Sequence, residues 1–132
     1  MEININRLDD PVAVSMIQII GEIDSATAGE LQKKVSDVIE SGAKNLIFNL
    51  EQVPYMSSAG LRVFLKTFQT LRELFPAENE KDAYSRIADG SYRAAHMKLL
   101  NPTSKVFEVL KISGFNMLVS IEHDMKKALK FD

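Results

Sequence analysis

Ser57 and Ser58 stand side by side where an apolar stretch, Asn45-Leu46-Ile47-Phe48-Asn49-Leu50, has ended and an amphipathic one is about to begin at Leu61. Hydroxyls on the first residues of a helix lie beside backbone N–H groups that have no intrahelical partner, at the positive end of the helix dipole. A phosphate added there is tolerated by the fold, so the pair has the makings of a charge switch. Helical phase separates the two serines. At about 100° per residue, Ser57 aligns with Leu61, Phe64, Phe68 and Leu71, whereas Ser58 falls at the edge of that stripe with Arg62, Gln69 and Arg72. Ser57 is thereby the structural N-cap and Ser58 the hydroxyl within reach of another protein, with Ser57 as the alternative acceptor.

Their neighbours carry two readings each. Arg62, one turn beyond Ser58, can pair with a phosphate through charge-assisted hydrogen bonds or stand as a solvated surface cation. Ala59 and Gly60 are small enough to let a partner backbone or a kinase approach, or to let the helix start pack tightly on the sheet. The string Met56-Ser57-Ser58-Ala59-Gly60 also nearly matches the nucleophile elbow G-x-S-x-G, with Met56 replacing the first glycine, and His96 and His123 are candidate bases. Against a hydrolase stand the short chain and the simpler placement of each histidine at a strand edge or a helix start. Two such distant histidines make a poor metal site, and no phosphate-cradling glycine loop is present, so no metal or cofactor is expected.

The elements that position these serines follow from pattern. Ile3 and Ile5 alternate with polar residues, and after Asp9-Asp10-Pro11 the run Val12 to Ile20 stops at Gly21, which predicts a hairpin. A helix is expected from Asp24 or Ser25, with Leu31, Val35, Val38 and Ile39 on one face and an end near Ser41-Gly42; Gly29 inside it costs about 1 kcal/mol relative to alanine. Lys44 to Leu50 reads as a strand, and the helix from Ser57 carries Leu61, Phe64, Leu65, Phe68, Leu71 and Phe75 at helical spacing. Later come a strand at His96–Leu100, a helix at Thr103–Lys111, a strand at Met117–Ile121 and a closing helix at Glu122–Lys130. The polar, punctuated stretch from Phe75 to Ala95 interrupts this rhythm and reads as a surface insertion, a loop or one short helix. The fold class is α/β: a layered domain with a mixed, mostly parallel sheet of about four to five strands, about four helices and an N-terminal β-hairpin.

Composition narrows the function. The 132 residues suit a single domain spanning 1–132, and 16 basic against 18 acidic residues give a net charge of -2, with no polybasic footprint for nucleic acid or anionic lipid. The absence of cysteine removes disulfides and thiolate metal sites, and no run approaches the roughly 20 apolar residues of a membrane span. A cytoplasmic, non-enzymatic protein without direct membrane insertion is expected.

Tyr55-Met56-Ser57-Ser58-Ala59-Gly60-Leu61 after an apolar strand, Gly21-Glu22-Ile23-Asp24 after the second strand, and Leu99-Leu100-Asn101-Pro102 before the penultimate helix together resemble the STAS domains, named for sulphate transporters and anti-sigma factor antagonists. The small, freestanding form resembles the antagonist branch. That resemblance implies a dephosphorylated protein that binds an anti-sigma factor with serine kinase activity, is inactivated by phosphorylation at the position of Ser58, and is reset by a metal-dependent serine phosphatase. It implies partner contacts from Asp24, Ser57, Ala59, Gly60, Leu61 and Arg62, although Asp24 is equally a helix N-cap. Two departures touch kinase recognition: Ser57 stands where many relatives carry Asp, and Ala59 where a second serine is frequent. The alternative within the fold is a non-phosphorylated scaffold subunit of a transporter or signalling complex.

Overall fold

The computed structural model describes residues 1–76, 86–87, 90 and 92–131. Strands β1 (Glu2–Leu8) and β2 (Val14–Ile20) form the expected hairpin, antiparallel in a register running from Glu2 opposite Ile20 to Leu8 opposite Val14. Strands β3 (Leu46–Gln52), β4 (Met97–Leu100) and β5 (Ser120–Glu122) extend it in parallel, giving the order β1-β2-β3-β4-β5. Helices α1 (Ala28–Glu40), α2 (Ser58–Leu74), α3 (Ser104–Ser113) and α4 (Met125–Ala128) complete the layers, with a 3-10 turn at Phe115–Met117.

Side chains alternate between the faces of a strand, so the sheet has two unlike sides. One side presents Ile17, Ile19, Leu46, Phe48, Leu50, Met97 and Leu99 to α1, α2 and α3 and forms the main core, where the Phe48 and Phe64 rings meet edge-on at 5.0 Å. The other side gathers Val14, Met16, Ile47 and Leu100 beneath Ala128, Leu129 and Phe131 of the closing segment. Lys98 is buried on that side. Its ammonium donates to the carbonyls of Lys127 and Lys130 and lies 4.4 Å from the centroid of the Phe131 ring.

Several boundaries depart from the sequence expectation for local reasons. Helix α1 starts at Ala28 because Asp24 and Thr27 close a separate hydrogen-bonded turn first. The buried stripe of α2 contains Gly60, Val63 and Thr67 beside Phe64, Phe68 and Leu71, while Leu61, Leu65 and Phe75 are only half-buried. Thr67 is tolerated there because its hydroxyl donates to the Val63 carbonyl at 2.8 Å. Met117 belongs to the 3-10 turn rather than to a strand, and α4 is a single turn capped by Asp124, whose carboxylate accepts the Lys126 N–H at 2.8 Å. Much of the Phe75 to Ala95 stretch lies outside the described residues, and with it the choice between loop and short helix. Its end is no surface feature: Tyr92 and Ala94 are buried, the Tyr92 ring edge-on to Phe68 at 6.2 Å.

Candidate functional site

Beyond the carboxyl ends of β2 and β3 the two chains stay zipped together. The Gly21 N–H donates to the Gln52 carbonyl at 3.0 Å, the Ile23 N–H to Tyr55 at 3.0 Å, and the Ser57 N–H to Ile23 at 2.9 Å, with Ile23 and Met56 forming an isolated parallel bridge. The segment leading to Asp24 and the turn carrying Ser57 and Ser58 are therefore one unit. Gly60 seals it. A Cβ placed on Gly60 would stand 2.7 Å from Cγ2 of Ile23, 2.8 Å from Cγ of Met56 and 3.0 Å from the Ile23 carbonyl. Gly60 is buried, so its smallness serves this close packing and offers no surface to a partner.

Ser57 caps α2. Its backbone is extended (φ -87°, ψ 177°), its Oγ accepts the Ala59 N–H at 3.2 Å, and its carbonyl accepts the Leu61 N–H at 3.0 Å. Ser58 is the first residue of the helix and is exposed, and its hydroxyl has no hydrogen-bond partner among the described residues. The two serines thus have different duties. Replacing Ser57 with alanine is expected to lower stability by about 1 kcal/mol, read in a urea melt, because the cap is lost.

Asp24 divides its carboxylate. Oδ1 accepts the N–H groups of Ala26 at 2.9 Å and Thr27 at 3.2 Å, and Thr27 replies by accepting the Asp24 N–H on Oγ1 at 3.0 Å and donating its own hydroxyl to Glu22 at 3.0 Å. Oδ2 has no protein partner among the described residues. Cap and partner contact are therefore separable in one side chain. Asp24→Asn keeps an oxygen for the turn and is expected to change stability by less than about 0.5 kcal/mol, whereas Asp24→Ala costs about 1–2 kcal/mol in the same melt.

Arg62 and Ala59 sit on a shallow groove of about 590 Å³ between α1 and α2, whose other walls include Ala28, Gly29, Gln32 and Lys66. The α1 side of this groove was not read as functional from the sequence. Its signal was Gly29, which the sequence places inside a helix and which stands, exposed, at the second position of α1. Nothing inside the fold demands that glycine, since an added Cβ would meet no atom within 4 Å. Gly29→Ala is expected to raise stability by about 0.5–1 kcal/mol, read as a higher denaturation midpoint.

The two histidines are far from the serines. His96 is buried just before β4, at the amino end of the parallel strands, with Nδ1 2.9 Å from the Asn45 carboxamide oxygen, while Ser58 follows the carboxyl end of β3. His123 is exposed after β5, two strands from β3 and so on the order of 10 Å away in the sheet. No helix among the described residues is long and apolar enough to cross a membrane.

This arrangement has known counterparts. An anti-sigma-B factor antagonist of Staphylococcus aureus (strain NCTC 8325 / PS 47) is 32% identical over 68 residues, which are 52% of this chain and 58% of that protein, so the chain matches less than two thirds of that relative. The solved anti-sigma factor antagonist from Mycobacterium paratuberculosis shares the fold with a TM-score of 0.71 at 18% identity, covering 97% of this chain and 92% of that one. The antagonist SpoIIAA in its unphosphorylated form gives a TM-score of 0.60 at 18% identity over 97% of this chain and 94% of that one. The Bacillus protein SpoIIAA in its phosphorylated form gives 0.60 at 19% identity over 94% and 96%. The STAS domain model matches residues 3–74, from β1 through α2 and including Asp24 and both serines, and the chain belongs to the STAS domain family.

Proposed function

We propose that this protein is a phosphorylation-switched anti-sigma factor antagonist. In its unmodified form it binds an anti-sigma factor with serine kinase activity and frees the sigma factor. Phosphorylation at Ser58 abolishes that binding, and a metal-dependent serine phosphatase restores it, all in the cytoplasm. The observation that carries this reading is the division of labour at the start of α2: Ser57 holds the cap, and Ser58 is exposed with a hydroxyl that makes no hydrogen bond among the described residues.

A phosphate on Ser58 adds roughly -1.5 to -2 charge at the positive end of α2, where the fold accepts it, and Arg62 one turn later is a cation within the same helix face. The cost therefore falls on the complex. An opposing surface fitted to a neutral hydroxyl must accommodate bulk and a charge stripped of water. Asp24, tied by the Ile23 and Ser57 backbone bonds to the same unit, supplies the acidic contact, and Ala59 and Arg62, which line the groove, supply the surrounding surface together with the half-buried Leu61. The antagonist names of the relatives support this reading over a transporter scaffold.

The purified chain, mixed with preformed complexes of anti-sigma factors and sigma factors from its own genome, is expected to displace one sigma factor on size exclusion. Failure to bind any anti-sigma factor that carries a serine kinase domain contradicts the proposal.

A further inference from the structure

The two edges of the sheet differ. β5 at one edge is three residues long, whereas β1 at the other has seven, as many as β2 and β3. A long exposed edge strand is a template for another strand, and soluble proteins blunt such edges by shortness, a bulge, proline or lysine. β1 has none of these: its register with β2 is unbroken from Glu2 to Leu8, and its sequence holds neither proline nor lysine. The N–H and C=O groups that β1 turns away from β2 have no backbone partner among the described residues.

The side chains of β1 divide by face. Ile3, Ile5 and Arg7 share the side of Ile17 and Ile19, where the main core lies, and Glu2, Asn4, Asn6 and Leu8 share the side of Val14 and Met16. Ile3 packs on the main core, but Ile5 is 43% exposed and lines a cavity of about 290 Å³ with Arg7, Val38 and Ala43. On the other face the Asn4 carboxamide donates to Glu2 at 2.9 Å and to Gln18 at 3.1 Å, which orders the polar side chains of the strand. The edge thus combines unpaired backbone, an exposed apolar residue at its centre and ordered amides.

We propose that β1 pairs antiparallel with β1 of a second copy of this chain, centred on Ile5, so that two five-stranded sheets become one continuous sheet. Directly opposed residues of an antiparallel pair share a face, so the two-fold axis relates odd positions to odd and even to even, and centring on Ile5 is the arrangement that engages all seven residues. Ile5 then meets Ile5, Asn4 meets Asn6, Ile3 meets Arg7, and Glu2 meets Leu8. No like charges stand opposite each other, and the ladder adds about six to eight backbone hydrogen bonds. A strand of unrelated sequence would gain those backbone bonds alone, whereas the second copy also brings an apolar residue to Ile5 and a carboxamide to each asparagine. Because β3 of one copy then runs opposite to β3 of the other, the two Ser58 sites lie at opposite ends of the joined sheet.

The test is sedimentation equilibrium of the full chain from low to high micromolar concentration. Wild type is expected to pass from monomer to dimer. Ile5→Lys sets two ammonium groups opposite each other at the axis and is expected to dimerise at least about tenfold more weakly, with an unchanged far-UV circular dichroism spectrum. Because the chain has no cysteine, mild oxidation of single-cysteine variants reads the register. Opposed Cα atoms in an antiparallel pair are about 4.5–5.5 Å apart, within the span of a disulfide, so Ile5→Cys is expected to form a covalent dimer. Glu2→Cys is expected to form none, since its two copies would lie on the order of 20 Å apart along the strands. A wild type that stays monomeric throughout, dimerisation unchanged in Ile5→Lys, or crosslinking of Glu2→Cys as readily as of Ile5→Cys overturns the proposal.

Discussion

Phosphorylation of Ser58 is expected to weaken binding to the anti-sigma factor several-hundredfold while leaving the fold intact. Each 1.4 kcal/mol is a factor of ten in affinity, so a penalty of about 3–4 kcal/mol is sufficient, within what a desolvated and unmatched charge costs at an interface. The protein itself loses nothing comparable. The Ser58 hydroxyl makes no hydrogen bond among the described residues that the phosphate would break, and the cap on α2 belongs to Ser57. Ser58→Asp carries less charge and bulk than a phosphate and is expected to reproduce part of the effect, about ten- to a hundredfold, with an unchanged Tm. Ser58→Ala is expected to bind like the unmodified protein and to accept no phosphate at that position. Calorimetric titration of the three forms against the same anti-sigma factor gives the ratio. A Ser58→Asp form that binds as tightly as wild type contradicts the interface role of this residue.

Gly60→Ala is expected to cost about 2–3 kcal/mol of stability, near the upper end of the usual penalty for an overpacked site. The added methyl would lie 2.7 Å and 2.8 Å from side-chain carbons of Ile23 and Met56, which could yield, but also 3.0 Å from the Ile23 carbonyl. That carbonyl accepts the Ser57 N–H, so backing away from the methyl pulls on the bond that joins the Asp24 segment to the serine turn. Stability and partner binding are therefore expected to fall together in Gly60→Ala, whereas Gly29→Ala stabilises the fold. Urea denaturation of both variants tests this contrast. An unchanged midpoint for Gly60→Ala contradicts the close packing assigned to it.

The sheet was legible because strand signals in this chain are sharply punctuated. Ile3 and Ile5 alternate with polar residues, Asp9-Asp10-Pro11 turns the chain, Gly21 ends β2, and the apolar run into Leu50 is too short for a helix. Helix starts were harder to place. An aspartate that caps a helix and one that closes an isolated turn use the same acceptor chemistry, so Asp24 marked the region while Ala28 marks the helix. The α2 stripe reads from the sequence as Leu61, Phe64, Leu65, Phe68, Leu71 and Phe75, yet Val63 and Thr67 are buried beside Phe64, Phe68 and Leu71 while Leu61, Leu65 and Phe75 are half-buried. Thr67 hides from a hydropathy reading because its own helix satisfies its hydroxyl.

At the site, helical phase placed Ser57 toward the core and Ser58 toward the surface, as they lie in the structure. Phase could not choose between the two uses of Gly60, since a glycine that admits a partner and one pressed against Ile23 look alike in a string. Nor could it show the groove between α1 and α2, which arises from elements distant in sequence.

The most direct test of the switch is site-resolved tandem mass spectrometry after incubation with ATP and the anti-sigma factor kinase that the unmodified chain binds. The expected result is one phosphate, on Ser58, and loss of the complex as it accumulates. A phosphate on Ser57 instead, no phosphate at all, or a Ser58-phosphorylated chain that still holds the kinase contradicts Ser58 as the switch.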